Sequence, residues 1–183
     1  MPTPLPRSKV KQHQTWNAES VFASAEQFDA ELKSILESLP AIKQFQGRLG
    51  ESIETFLGAM QAMDLLDQRS TKVRVYATMS SAVDANDEQG AKMNGKAMSA
   101  LAQVGAAVSF LEPELLSIGE AKLHQWVNED PRMKLYEHFF NDLFRKQAHV
   151  RSAEVEELMG MLRDPFGAVR STAGMLANAD FKF

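Results

Sequence analysis

Four histidines, His13, His124, His138 and His149, come first, because imidazoles and carboxylates together hold zinc. None lies in HExxH, which sets two imidazoles one helical turn apart with a glutamate beside the first. His138 and His149 are eleven residues apart. A continuous helix would put them on one face but ~16 Å from each other, too far to share an ion bound near ~2 Å from each. Glu120 and His124, four apart, can touch one ion, yet two ligands do not close a site, and a surface ion pair is the plainer reading. Asp84, Asn86, Asp87 and Glu88 have the look of a calcium loop. Its sixth position is Gln89 where the turn needs glycine, and its twelfth is Gly95 where a bidentate glutamate belongs. A plain turn between helices is expected there.

Other chemistries fare no better. No GxxxxGK[ST] loop occurs, Gly160, Gly167 and Gly174 recur every seven residues without forming GxGxxG, and GxSxG is missing. The absence of cysteine excludes disulfides, thiolate metal sites and a cysteine nucleophile. Glu112 and Glu114 flank Pro113 and come nearest to an acid/base couple, with a turn of solvated carboxylates as the plainer reading. Ten methionines fit a promiscuous groove lining or, at helical spacing, core filler. The residues themselves assign no catalytic, cofactor-binding or metal-binding position.

The elements that would carry such residues are helices. The chain has 183 residues, 44% of them hydrophobic, which is enough for one sizeable core and rules out wholesale disorder. With 24 acidic against 20 basic residues, its net charge of −4 disfavours extensive non-specific nucleic-acid binding. No run reaches ~18 uninterrupted apolar residues, so no membrane-spanning segment is expected. Three prolines in the first six residues, followed by Arg7, Lys9 and Lys11 without an apolar run, predict a disordered arm over 1–14 and neither signal nor transit peptide. Cytoplasmic residence is the default expectation.

From residue 15 to 183 one all-α domain is expected, a bundle of about seven or eight antiparallel helices. Ser24 and Gln27 form a capping box before the stripe Phe28, Leu32, Ile35, Leu36, Leu39, which Pro40 ends. Ile53, Phe56, Leu57, Met60 and Met63 make a second stripe, and Val73, Tyr76, Met79 and Val83 a third. Met93, Ala97, Leu101, Val104, Val108 and Leu111 mark the clearest helix. Its other faces carry Ala100, Ala102, Gly105, Ala106, Ala107 and Ser109, which predicts burial at the middle of the bundle. Pro113 breaks it. Leu115, Leu116, Ile118, Leu123, Trp126 and Val127 follow up to Asp130-Pro131, then Met133, Tyr136, Phe139, Phe140, Leu143 and Phe144. Ser152 is a candidate N-cap for a helix burying Val155, Leu158, Met159 and Leu162. Asp164 to Gly167 reads as a turn before a last short helix through Val169, Ala173 and Leu176. Phe181-Lys182-Phe183 is a strand-like stub, suggesting continuation in a longer parent.

Several phrases, in order, resemble one family. WNAESVF (16–22) followed by Phe28 is similar to the opening of the oligoendopeptidase F family, within the thimet-type zinc metallopeptidases. RVYATM (74–79) with Asp84, Asn86 and Asp87 resembles that family's tyrosine-alanine…aspartate hairpin, and FLEPELL (110–116) its proline-glutamate-leucine corner. Tyr136-Glu137-His138, Arg145, His149 and Ser152 to Glu156 with Leu158 resemble a further passage. Asn178 to Phe183 matches the point where this lobe ends and the chain runs on. The resemblance implies the helical N-terminal lobe of a peptidase whose zinc site, HExxH and a later glutamate, lies downstream. None of those residues is present, so no catalytic or metal role transfers to this chain. The resemblance further implies a wall of a channel that admits short peptides, with His138, Arg145 and His149 as structural positions.

Two readings result. One is the non-catalytic lobe of such an enzyme, as a gene fragment or truncated paralogue, whose partner is the parent's catalytic lobe. The other is a self-standing helical adaptor or dimerisation module. A lobe deprived of its neighbour exposes apolar surface, which predicts a dimer or soluble aggregates.

Overall fold

The computed structural model of the chain describes residues 9–83, 87–147 and 153–177. Every regular element among the described residues is helical, as expected. Ahead of the first long helix stand two single 3-10 turns, Gln12–Gln14 and Ala18–Ser20. Helix α1 (Ala25–Lys43) starts at the expected capping box. The Ser24 hydroxyl accepts from the Gln27 amide at 3.4 Å, and the Gln27 carboxamide accepts from the Ala23 amide at 3.1 Å. Phe28, Leu32, Ile35 and Leu39 are buried. Pro40 does not end α1, which runs three residues further. Proline removes one amide donor, and so close to the C-terminus the loss is confined to the last turn.

Helix α2 (Ile53–Ala82) unites the second and third stripes in one element of 30 residues, because neither glycine nor proline lies between Met63 and Val73 to interrupt it. Phe56, Leu57, Met60, Met63, Val73 and Tyr76 are buried, whereas Met79 and Val83 reach solvent at its far end.

Helix α3 (Glu88–Val108) corrects another expectation. It is not central. One face packs against α1 and α2, burying Gly90, Ala97, Ala100 and Ala107, while Ala102, Gly105 and Ala106 are exposed. Alanine is the best helix former wherever it stands, so a face poor in charge is not thereby a buried one. The packed face follows alternating steps of three and four through Gly90, Met93, Ala97, Ala100, Val104 and Ala107. Its small side chains let the backbones close in: a Cβ on Gly90 would lie 3.0 Å from the Ser80 carbonyl oxygen and 3.1 Å from the Ser81 Cα. Within Glu88–Ile118 one 18-residue window reaches a mean hydropathy of 1.2, a length and composition that core helices share with membrane spans. In this fold the stretch is broken at Ser109–Phe110.

That break, not Pro113, separates α3 from α4 (Leu111–Ile118). Pro113 sits in the first turn of α4, where an amide hydrogen has no intrahelical partner to lose. Gly119, at φ +91°, then splits α4 from α5 (Glu120–Glu129), which the sequence reading had joined. A 3-10 segment, Pro131–Tyr136, leads into α6 (Glu137–Gln147); it opens with the Asp130 carboxylate accepting from the Arg132 amide at 2.8 Å.

Two aromatic clusters sit in the core. Phe56, fully buried, has ring centroids of Trp126, Tyr136 and Phe140 within 6.3, 5.5 and 5.6 Å, which joins α2 to the α4–α6 group. Around Tyr76 gather Trp16, Phe22 and Phe28 at 6.0, 5.1 and 5.5 Å, so the segment before α1 folds onto α1 and α2.

The last helix, α7 (Ala153–Met175), runs through Pro165, where a turn was expected. Leu158 and Leu162, read as its buried side, are exposed. Asp84 to Asn86, His149, Ser152 and the stub Phe181 to Phe183 lie outside the described residues, as do the side chains of Val155 and Met159.

Candidate functional site

The titratable residues singled out by the sequence are dispersed. His13 is exposed in the first 3-10 turn, His124 half-exposed on α5, and His138 exposed in the first turn of α6. His124 Nε2 stands 3.7 Å from Glu120 Oε1, which is the ion-pair arrangement expected of that spacing. Among the described residues no group of three or more histidines and carboxylates converges as a metal ligand set. A zinc centre of the kind the resemblance implies therefore finds no fitting donors here, and these residues supply no step through zinc. Arg145 ends α6 in an ion pair with Asp142 at 2.5 Å, and Lys146 reaches the same carboxylate at 2.5 Å. Those two cations, Lys146 first, hold the Asp142 carboxyl below its ordinary range.

Glu112 and Glu114 part company. Glu112 is exposed, whereas Glu114 reaches back across the fold and accepts from the backbone amides of Gly47 at 2.8 Å and Leu49 at 2.7 Å. Both carboxylate oxygens are occupied, so Glu114 is a clamp between α4 and the α1–α2 loop rather than a proton carrier. Gly47 adopts φ +80°, a left-handed conformation that a side chain would strain, and this turn presents the two amides. Beside it, the Lys122 ammonium donates to the Gly50 carbonyl at 2.8 Å and lies over the Trp126 ring at 5.0 Å.

Further ties across the bundle also escaped the sequence reading. Arg69 on α2 donates to Glu31 on α1 at 2.7 Å, and Lys96 on α3 pairs with Asp29 on α1 at 2.7 Å. Arg132 joins Glu54 and Asp130; its hydrogen bonds hold the Asp130 carboxyl below its usual value. Only the pairing of Asp130 with the start of the 3-10 segment had a local signal, the Asp-Pro dipeptide; the others link residues at least 35 positions apart in sequence.

Two of the concave surfaces among the described residues have largely apolar linings. A groove of about 680 Å³ runs between α1 and α3, with Leu32, Leu36 and Ala100 on its floor and Asp29, Lys33, Glu37 and Lys96 along it. A second, of about 400 Å³, lies where α2, α3 and α6 meet. Met60, Met63, Leu66, Val104, Val108 and Leu111 line it, with Asp64, Asp67, Tyr136 and Phe139 around them. Burial first, then the neighbouring Asp64, push the Tyr136 hydroxyl above its ordinary value, so it stays protonated and donates to Asp64 at 3.4 Å. Such a cleft can seat an apolar side chain. It holds neither nucleophile nor metal ligand set among the described residues.

The family model described as Oligopeptidase F matches residues 114–183. Among characterised relatives, Oligopeptidase PepF of Bacillus subtilis is 32% identical over 177 residues, covering 97% of this chain and 26% of the relative. Group B oligopeptidase PepB of Streptococcus agalactiae is likewise 32% identical, covering 97% of this chain and 30% of its own length. The crystal structure of oligoendopeptidase-F from Enterococcus faecium superposes with a TM-score of 0.72 at 28% identity, over 87% of this chain and 32% of that one. That of a putative peptidase from Chlamydophila abortus, at 20% identity and a TM-score of 0.71, shares the fold. The chain thus spans between a quarter and a third of the length of the relatives it matches. In sequence and in fold it corresponds to the helical N-terminal region of the oligoendopeptidase F family.

Proposed function

We propose that the chain acts as the non-catalytic N-terminal lobe of an oligoendopeptidase F-like zinc metalloendopeptidase, forming a wall of the channel through which short peptides reach a metal centre elsewhere in the longer protein. The observation that carries this reading is the span of the likeness, 97% of this chain against 26–30% of the relatives. The helical frame and the apolar cleft where α2, α3 and α6 meet support it. The principal partner is the catalytic lobe of the parent chain, the ligands in transit are short peptides, and the setting is the cytoplasm.

The test is a chimera in which this chain replaces the corresponding N-terminal region of the Bacillus subtilis relative. Chelator-sensitive cleavage of short quenched peptides, with long unfolded chains spared, is expected. A folded chimera that is inactive, or that cleaves long chains as readily as short ones, refutes the wall. The second reading, a self-standing adaptor or dimerisation module without enzymatic activity, is favoured by one observation, the exposure of Leu158, Leu162, Phe166 and Val169 on α7.

A further inference from the structure

The cleft where α2, α3 and α6 meet has a size and a chemistry that a plain channel wall does not call on. Its volume of about 400 Å³ falls among clefts that seat small ligands, about 300–1,000 Å³. Its floor is apolar and compliant. Met60, Met63 and Leu66 of α2 are buried there, and Val104 and Val108 of α3 line it together with the half-buried Phe139 of α6. Thioethers adapt to side chains of different shape, so such a floor accepts aromatic and aliphatic groups alike.

The charge is one-sided. Two charged residues line the cleft, Asp64 and Asp67, both on α2 and both exposed. Three positions apart, they share one face of the helix. The Tyr136 hydroxyl, also in the lining, donates to Asp64 at 3.4 Å and ties that carboxylate to the cleft. No basic residue is among those that line it, and from Ala97 to Leu111 the α3 side carries no charged residue. A purely apolar surface laid here would strip water from two carboxylates and return nothing for them. An occupant that bears a cation does better: its apolar side chain leaves water while its charge meets the carboxylates at the edge.

We infer that this cleft is a docking subsite for short peptides in which a large apolar residue is flanked by lysine or arginine. The apolar side chain enters the space lined by Met60, Met63 and Val104, and the cation meets Asp64 and Asp67. That a peptide bears the cation rests on the peptidase reading; the need for a cationic, apolar occupant rests on the cleft alone.

The probe is a blocked pentapeptide, Gly-Lys-Phe-Lys-Gly, titrated into the 183-residue chain carrying ¹³C-methyl methionine. The Met60 and Met63 methyl signals should shift and saturate, while that of Met98, exposed elsewhere on α3, stays in place. Exposed ion pairs contribute little singly and are screened by salt, so Asp64→Asn with Asp67→Asn should weaken binding about 3–10-fold. Replacing both peptide lysines by glutamate should abolish the shifts, and Asp64→Lys with Asp67→Lys should restore them for that acidic peptide. Thermal unfolding checks that each variant is folded. The inference is overturned if these methyls ignore the peptide up to about 5 mM, the weakest binding the titration reads. It is equally overturned if they answer the lysine and glutamate forms alike, or if both asparagines leave binding unchanged. The chimera keeps this outcome apart from that of the channel wall. An active, size-selective chimera with silent methyls sinks the subsite alone, and saturable shifts beside an inactive chimera sink the wall alone. Methyls already displaced in the folded chimera, and unmoved by added peptide, assign the cleft to the parent's own chain and overturn the inference as well.

Discussion

Glu114 offers the sharpest test of how the two halves of the bundle are held. Its carboxylate takes two backbone amides, Gly47 at 2.8 Å and Leu49 at 2.7 Å, and the Leu49 side chain beside them is fully buried. Hydrogen bonds to a charged acceptor contribute about 1.5–3 kcal/mol each. The Gly47 amide faces solvent, where water can replace the lost partner, so that bond belongs at the low end. Glu114→Ala should therefore cost about 3–4.5 kcal/mol. Glu114→Gln keeps one acceptor oxygen but turns an NH₂ group toward the other amide, and should lose about half as much. In urea, with a slope of about 2 kcal/mol/M for a chain of this size, the alanine variant's midpoint should fall by about 1.5–2 M at unchanged slope. Glu112→Ala, across Pro113 and exposed, should stay within about 0.5 kcal/mol of the parent. An alanine variant at Glu114 that is equally neutral would show that the clamp does not join the halves, and a glutamine variant as damaging as alanine would contradict the two-acceptor account.

Phe56→Ala, at the centre of the ring cluster with Trp126, Tyr136 and Phe140, should cost about 3–5 kcal/mol in chemical denaturation. Gly90→Ala and Gly95→Ala should move in opposite directions in thermal melts. The first drives a Cβ into the α2 backbone, whereas the second has open space and should add about 0.5–1 kcal/mol. Asp130 titrates below its ordinary range because Arg132 hydrogen-bonds its charged form. The stabilisation it lends is thus present above the unfolded carboxyl's pKa and disappears as pH falls through the lower folded value. Carboxyl NMR should show that Arg132→Ala raises the Asp130 titration toward the ordinary range but not fully to it, since the backbone amide at position 132 still donates; an unmoved titration would contradict the assignment.

What the sequence made legible was local. The capping box at Ser24 and Gln27, the stripe through Phe28, Leu32, Ile35 and Leu39, and the run Leu123, Trp126, Val127 are patterns that span four to twelve residues, and the fold keeps them. Prolines misled because their effect depends on position within a helix: Pro113 is harmless in a first turn, while α1 and α7 absorb Pro40 and Pro165. The small residues of α3 were read as burial when half of them are surface helix formers. Glu114 was invisible because its partners lie 65 and 67 residues away, and no short-range rule encodes that distance. The family likeness was carried by the order of many weak phrases, which is why it survived although no single phrase was specific. Exposed apolar surface was expected of a lobe without its neighbour, but not the exposure of Leu158 and Leu162, since an apolar stripe announces the need for a partner and not whether the same chain provides one.

The account rests on these helices shaping a cavity without performing the cleavage. Its most direct test is hydrolysis of a quenched short peptide by the purified 183-residue chain, titrated with zinc and then with chelator. The prediction is a rate indistinguishable from buffer at every zinc concentration. Turnover that rises with zinc, vanishes with chelator and is abolished by substituting His124 or Glu120 would contradict it.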